Sequence, residues 1–383
     1  MVYADYNGSS TPHPEVIKYL QGRLENGPFA NPNSIHRRGQ QINRAIEKCR
    51  RTCAEILGAQ KNQVIFNSGA TEGINHIFHS LLDRPIDKKN TIIISEIEHA
   101  AVYKAALYWE TKGYKLQYAS VDKTGRLDLE KFTELIEQNQ ESLALVSVMA
   151  ANNETGVIQP IKEIGEICAK AQAPFFSDTT QLITKDSFNF AELPMDYAVT
   201  SSHKIGGLIG AGMILVKNPE TLTGHILGGG QENGFRGGTQ NYIAIETMAV
   251  ALTEFKKEQD KLIEQTKIRE EFESHICKQY PDCVVIGKEV PRLAGTTLIS
   301  YPGVHGQAVQ IELESQDIFV STSSACSDNE PATSRVLKSM GIDDRIGRGV
   351  VRISTCYLGC DEAYKKIQTG LENAYNKLVK IQS

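Results

Sequence analysis

Short apolar runs alternate with longer segments of helical periodicity from about residue 34 to residue 216. Short apolar runs bounded by polar turns indicate buried strands, and apolar residues three and four apart indicate amphipathic helices. Strands that alternate with helices are typical of an α/β fold built on a largely parallel wound sheet. The predicted strands are 64–67, 91–95, 144–149, 174–177, 197–200 and 212–216, and the predicted helices include 73–82, 101–112 and 161–171.

The second part of the chain begins with a long amphipathic stretch rich in Glu and Lys, residues 243–280. One solvated helix that leads to a second unit is expected there. We therefore predict a large domain of residues 14–252 and a smaller α+β domain formed by 1–13 together with 253–383. The elements predicted beyond the long helix are strands at 283–286, 295–300, 318–321 and 350–354 and a final helix from 361 to about 381.

Composition narrows the class of protein without naming a function. The chain has 383 residues, a net charge of -5, 40% hydrophobic residues and 23% charged residues, which is ordinary globular usage. An acidic balance gives no broad basic face for nucleic acid. No apolar run approaches the roughly 20 residues that a membrane helix needs, and the N-terminus has no secretory pattern. We expect a cytoplasmic protein that binds neither nucleic acid nor a membrane.

The cysteines do not form a metal-binding or disulfide pattern. There are eight of them, without Cys-x-x-Cys pairs or the dense spacing of secreted scaffolds. Cys49 and Cys53 lie four apart in a helical pattern, where small buried hydrophobic side chains are expected rather than ligands. The roles of Cys356 and Cys360 stay open. We predict reduced cysteines and no metal site.

Residues 67–73 form a candidate phosphate site. The segment, Asn-Ser-Gly-Ala-Thr-Glu-Gly, follows a predicted strand and opens a predicted helix. Backbone N–H groups and the helix dipole at such a position bind anions. Ser, Gly and Thr are also ordinary residues at a helix start, so this segment alone leaves both interpretations open.

An acid and a lysine follow at the ends of two later strands. Asp178 ends a predicted strand at the edge where open α/β sheets bind ligands, where it either caps a helix or keeps a pyridine nitrogen protonated. Lys204 ends the next strand; a typical lysine there is solvated, whereas a desolvated one forms Schiff bases. The order of phosphate site, acid and lysine favours a pyridoxal-phosphate site.

Cys326 lies among small polar residues, in the segment 321–327. Such a segment is typical of an exposed loop. A thiol on an exposed loop is an oxidation liability, so a chemical role is the preferred interpretation, and a tolerated surface thiol is the alternative.

Taken together, the motifs resemble those of the cysteine desulfurases, the sulfur-mobilising branch of the class V aminotransferase-like enzymes. The resemblance spans nearly the whole chain and implies a fold-type I pyridoxal-phosphate transferase with a large and a small domain. The matching segments are 31–36, 68–72, 96–99, 152–156, 178–181, 201–204, 228–232, 323–326 and 351–354.

The resemblance also implies a role for each motif residue. Lys204 would form the Schiff base with pyridoxal 5′-phosphate, Asp178 would pair with the ring nitrogen, and His99 would stack on the ring and shuttle protons. The other implied contacts are Asn153 and Gln181 with the ring oxygen, Ala70, Thr71, Ser201 and His203 with the phosphate, Thr239 with the phosphate of the second subunit in a homodimer, and Arg352 and Asn33 with the substrate carboxylate.

The implied reaction converts L-cysteine to L-alanine. Cys326, as thiolate, would take the substrate sulfur as a persulfide and pass it to an acceptor protein. The pathway served stays open among iron–sulfur assembly, tRNA thiolation and DNA phosphorothioation. The alternatives are a selenocysteine lyase, an aminotransferase, which has no use for Cys326, and a silent scaffold that keeps only the fold.

Overall fold

A computed structural model describes residues 1–83, 88–322 and 333–382 of the chain. The predicted catalytic residue Cys326 lies outside the described residues. The strands are β1 (Val2–Tyr3), β2 (Val64–Asn67), β3 (Thr91–Ser95), β4 (Lys115–Ala119), β5 (Leu143–Ser147), β6 (Phe175–Asp178), β7 (Tyr197–Ser201), β8 (Gly212–Val216), β9 (Val284–Val285), β10 (Thr296–Ser300), β11 (Ile318–Phe319) and β12 (Val350–Ser354).

Helices connect most of these strands. They are α1 (Pro14–Asn26), α2 (Arg37–Leu57), α3 (Ala70–Leu82), α4 (Ala100–Glu110), α5 (Leu129–Asn139), α6 (Ile161–Lys170), α7 (Tyr242–Glu258), α8 (Lys261–Gln279), α9 (Gly306–Glu314), α10 (Arg335–Ser339), α11 (Asp344–Gly347) and α12 (Cys360–Gln382). No helix in the described ranges is both long enough and apolar enough to cross a membrane.

The main sheet has the strand order β2-β8-β7-β6-β5-β3-β4. Strand β8 is antiparallel to both of its neighbours, and the other pairs are parallel. The carboxyl ends of β2, β3, β5, β6 and β7 therefore meet at one edge of the sheet. That edge is where ligands of open α/β sheets bind.

Apolar side chains cover both faces of this sheet, which is why its central strands are continuous apolar runs. In β3, Ile93 packs in one core with apolar residues of α2, α5, α6 and α7. Ile92 and Ile94 point to the opposite face and pack in a second core with α3 and α4. The helices thus form layers on the two sides of the sheet, and the strand ends stay open for a site.

A smaller antiparallel sheet, of order β12-β10-β9, lies among α8, α9 and α12. The N-terminal strand β1 pairs in parallel with β11 and joins the same apolar core. Asp5 continues this connection through a bridge to Ser354 at the end of β12. The N-terminal segment therefore passes from the smaller sheet towards the edge of the main sheet.

The predicted strands of the main sheet are confirmed to within one or two residues, and two features differ from the sequence analysis. The edge strand β4 was missed because its sequence, Lys-Leu-Gln-Tyr-Ala, is not an apolar run. The single helix predicted over 243–280 is wrong, since α7 ends at Glu258 and α8 begins at Lys261. The two halves pack on different partners: α7 on α1 and α2, and α8 on α12 and β10.

Candidate active site

A cavity of about 270 Å³ opens at the carboxyl edge of the main sheet. The residues that line it come from the turns after β2, β3, β5, β6 and β7, so they are far apart in sequence. The structure brings together these predicted site residues: Ala70, Thr71, His99, Asn153, Asp178, Gln181, Ser201, His203 and Lys204. The other lining residues are Asn7, Ile74, Met149, Ala151 and Thr180.

One end of the cavity is the N-terminus of α3. Its N-cap is Gly69, which has φ of 152° and no side chain to cap the first N–H groups. A Cβ on Gly212 would lie 2.6 Å from the Gly69 Cα, so glycine allows this turn to pack closely against β8. Ser201 Oγ accepts a hydrogen bond from Ala70 N at 2.8 Å. The Ser201 hydroxyl keeps its own proton to donate towards an anion.

His203 lies beside this end of the cavity, and its ring Nδ1 is 3.1 Å from Ser9 Oγ. Burial lowers the pKa of His203 to about 4, and the charges of Lys204 and Lys185 act in the same direction. At neutral pH the ring is therefore a neutral hydrogen-bonding group.

The acidic end of the cavity is formed by Asp178, which is 5% exposed. Its Oδ1 accepts a hydrogen bond from Thr180 N at 3.0 Å, which fixes the carboxylate in the turn after β6. A second carboxyl, that of Glu98, lies near it, and burial raises the pKa of Glu98 to about 8. Glu98 is therefore mostly neutral at pH 7, so it adds little negative charge beside Asp178.

His99 caps α4 through its ring, since Nδ1 accepts a hydrogen bond from Ala101 N at 3.2 Å. The residue is open to solvent at the cavity, but the surrounding protein still lowers the pKa of its imidazole. The charges of Lys204 and Arg335 lower this pKa further, while Asp178 opposes them. The ring is therefore mostly neutral at neutral pH, and because Nδ1 accepts from Ala101 N, its proton lies on Nε2.

Lys204 ends the short 3₁₀ turn that follows β7, and it lines the cavity. Its amine donates to the backbone oxygens of Asn7 at 2.6 Å and Gly8 at 2.5 Å. Both acceptors belong to the N-terminal segment that comes from the smaller sheet. The position of the amine thus depends on contacts between the N-terminus and the main sheet.

Asn7 is a lining residue that the sequence analysis missed. It is 2% exposed, and its Nδ2 donates to Asn153 O at 3.2 Å and to Thr296 Oγ1 at 3.1 Å. Gln181 Nε2 donates to Asn7 O at 3.0 Å. In the sequence, Asn7 lies in the opening Asp-Tyr-Asn-Gly-Ser-Ser segment. This segment matches no simple catalytic pattern, so the sequence alone did not indicate a role for Asn7.

Three predicted residues do not line this cavity. Arg352 lies behind it, where Nη1 donates to Asn153 O at 3.0 Å and Nη2 pairs with Asp5 Oδ1 at 2.6 Å. Asn33 lines a separate cavity of about 300 Å³ beside Arg50 and Glu232. Thr239 is exposed on the surface. The implied contacts of these three residues stay predictions.

A second cavity of about 210 Å³ adjoins the first, and Asn7 and Lys204 line both. Its walls are largely apolar, with Phe255 and Leu262 among them, and Cys356 also faces it. Burial raises the pKa of the Cys356 thiol, so thiolate chemistry is disfavoured there. The free cysteines of the described ranges are Cys49, Cys53, Cys168, Cys277, Cys283, Cys356 and Cys360.

The residues of the first cavity fit pyridoxal phosphate. The start of α3, with its glycine N-cap, and the nearby hydroxyl groups suit a phosphate, and the same cavity is lined by the acid Asp178 and the amine of Lys204. Thr180 lines this cavity, and its Oγ1 is buried without a hydrogen-bond partner among the described residues. A buried orphan hydroxyl of this kind is expected where a polar ligand supplies the missing partner.

Known proteins share this architecture. Residues 2–365 match the family model described as aminotransferase class-V. A cysteine desulfurase from Trichormus azollae is 33% identical over 358 residues, which are 93% of this chain and 88% of that protein. A solved NifS-like protein from Rickettsia africae ESF-5 is 32% identical, with a TM-score of 0.87 over 98% of this chain and 99% of that one.

A further solved structure is SspA in complex with cysteine, which is 27% identical, with a TM-score of 0.80 over 92% of this chain and 98% of that one. The fold and the strand-end site thus define a class V aminotransferase-like protein. Within that class, the chain belongs to the cysteine desulfurase family.

Proposed function

We propose that the chain is a pyridoxal-phosphate-dependent enzyme that converts L-cysteine to L-alanine and holds the sulfur as a persulfide on Cys326. The observation that carries this proposal is the meeting of Lys204, Asp178 and His99 at one cavity, which the start of α3 also lines. Family membership supports the same reaction, and the SspA structure contains cysteine.

Each residue of the cavity has a role that its surroundings support. Thr71, Ser201 and His203, with the Ala70 turn, would hold the phosphate; Asp178 would hold the ring nitrogen, and Asn153 and Gln181 the ring oxygen. When bound, the cofactor supplies an electron sink for the α-carbon of the substrate. Lys204 supplies the amine that anchors the cofactor and that removes the α-proton.

His99 also lines the cavity, where its imidazole, mostly neutral at neutral pH, would shuttle protons. Arg352 would bind the substrate carboxylate, a task suited to a guanidinium. Its Nε is buried and has no partner in the described part of the chain. That unpaired donor supports the role, although Asp5 holds Nη2 in the present arrangement. Asn33 is the second proposed carboxylate contact.

The sulfur transfer uses Cys326, which lies outside the described residues. Its thiolate sulfur would bond to the substrate sulfur while the substrate C–S bond breaks, and the electron pair of that bond stays with carbon. Carbon is then protonated, and alanine leaves. The persulfide sulfur passes to an acceptor protein. We leave the acceptor among iron–sulfur assembly, tRNA thiolation and DNA phosphorothioation.

We also propose a homodimer in which Thr239 of one subunit reaches the phosphate of the other. Thr239 is exposed, and Leu227, which lies in the same connection between β8 and α7, is 86% exposed; a second subunit would cover both. The domain division at 14–252 stays a proposal, supported by a separate apolar core drawn from residues before 14 and after 252. A cytoplasmic location is supported by the free cysteines.

The test is the visible spectrum of the purified protein with L-cysteine, followed by alanine and sulfide release. We expect a Schiff-base absorption in wild type and alanine formation that is lost in Cys326→Ala. If Cys326→Ala still turns over cysteine, the persulfide role is wrong and a lyase or aminotransferase takes its place. A strong preference for selenocysteine over cysteine would identify the alternative, a selenocysteine lyase.

A further inference from the structure

Lys185 is a partly buried lysine beside the candidate active site, and the proposed reaction does not use it. Its amine donates to two side-chain amide oxygens, Asn7 Oδ1 at 2.8 Å and Gln181 Oε1 at 2.5 Å. It forms no ion pair with a carboxylate of the described residues. Lys185 lines the second cavity, and its two acceptors line the first.

This donor fixes the orientation of both amides. An amine N–H requires an oxygen, so the oxygen atoms of Asn7 and Gln181 face Lys185 and their NH₂ groups face away from it. Gln181 Nε2 then donates to Asn7 O at 3.0 Å, and Asn7 Nδ2 donates to Asn153 O at 3.2 Å. If either amide flipped, two donors would face each other in a buried place.

The same network reaches Lys204. The backbone oxygen of Asn7 accepts from Lys204 Nζ at 2.6 Å, while the side-chain oxygen of Asn7 accepts from Lys185. Asn7 therefore links the two amines directly. We propose that Lys185 is a positioning residue for Lys204, because it holds the side chains of Asn7 and Gln181 beside the Lys204 amine. This inference rests on the proposed function, in which Lys204 forms the Schiff base.

The charges around Lys185 explain why an amine suits this place better than an acid. Burial lowers the pKa of Lys185 well below that of a solvated lysine, and the charges of Lys204 and Arg352 lower it further. Cys356 and Asp5 oppose this effect. A carboxylate here would stabilise the ammonium form of Lys204, whereas an amine does not. Lys185 therefore acts on Lys204 through the two amide side chains and not as an ion-pair partner.

The experiment measures Lys204 itself, without cofactor or cysteine. Full-length protein freed of cofactor is treated with formaldehyde and borohydride across a pH series, and the methylation rate of Lys204 is followed by peptide mass spectrometry. In Lys185→Met we expect about tenfold slower labelling of Lys204 at neutral pH, because the side chains of Asn7 and Gln181 lose the donor that holds them. The exposed Lys365 serves as the internal reference in each sample.

Lys217→Met is the matched control. The Lys217 amine also donates to two carbonyl oxygens, those of Phe190 and Ala191, but it lines neither cavity. We expect this variant to follow the wild-type profile. Lys185→Gln keeps an N–H donor and should recover part of the labelling rate of Lys204. If Lys185→Met does not fold, Lys185→Gln replaces it in the comparison with wild type.

A double-mutant cycle tests whether Lys185 acts through Asn7. Asn7→Ala should slow the labelling of Lys204, and adding Lys185→Met to it should change little more. The inference is overturned if Lys185→Met labels like wild type, if Lys217→Met shifts as much, or if the two effects add. A wild type that makes no alanine from cysteine would instead overturn the proposed function and leave these labelling rates meaningful.

Discussion

Replacing Glu232 with glutamine tests how the segment that carries Thr239 is held on the main sheet. The Glu232 side chain is completely buried, and its two oxygens accept from Arg50 Nη1 at 2.6 Å and Nη2 at 2.8 Å. Oε2 also accepts from Phe66 N at 2.9 Å, in the strand that leads to the phosphate end of the cavity. In glutamine, an NH₂ group replaces one of the two carboxylate oxygens. This N–H donor would then face the N–H donors of Arg50 or Phe66.

The expected loss of unfolding free energy is about 3 kcal/mol, at the low end of the range for breaking a buried ion pair. The low end applies because Arg50 Nε keeps Glu47 Oε1 at 3.0 Å, so the guanidinium is still partly paired. Urea unfolding followed by tryptophan fluorescence and circular dichroism measures the change. The control is Asp361→Asn, which removes an exposed pair with Lys365 and should leave the midpoint unchanged.

A Glu232→Gln loss below 1 kcal/mol would refute this reasoning, because it would mean that the buried charge of Arg50 needs no partner. If the unfolding free energy falls as expected but the variant retains its cofactor normally, Glu232 stabilises the fold without being needed for the proposed placement of Thr239. Cofactor retention is read from the visible spectrum after gel filtration.

Three shorter predictions follow from the cavity. Asp178→Asn should lower alanine formation at least about 100-fold and weaken cofactor retention, measured by turnover and absorbance; near-normal values would contradict its role. Burial raises the pKa of Glu98 from 4.5 to about 8, so wild type loses stability as the pH rises through that window. Glu98→Gln should therefore gain stability over wild type between pH 4.5 and about 8, measured by thermal unfolding; a constant difference would contradict this. Cys356→Ser should keep alanine formation within about twofold, since burial disfavours the Cys356 thiolate, and a larger loss would assign Cys356 a chemical role.

Sequence patterns predicted the strands that are surrounded by apolar side chains on both faces of the sheet. Strands β3, β5 and β8 are buried along their whole length, so their sequences are largely apolar runs that differ clearly from their flanks. The acid and the lysine were predicted together because parallel strands end at a common edge. Strand β4 was missed because it lies at the edge of the sheet, where Lys115 and Gln117 interrupt the apolar run that marks the central strands.

The contacts of Asn7 and Lys185 could not be predicted in the same way. Lys185 follows Gln181 by four residues, but the partner that they share, Asn7, is more than 170 residues away in the sequence. In a sequence, a lysine favours a solvated position because burying its charge is costly. Only tertiary structure shows that two amide oxygens receive its N–H groups and that no carboxylate of the described residues pairs with it. The motif residues supply the groups that react, whereas their orientation depends on an N-terminal segment whose pattern carries no catalytic signal.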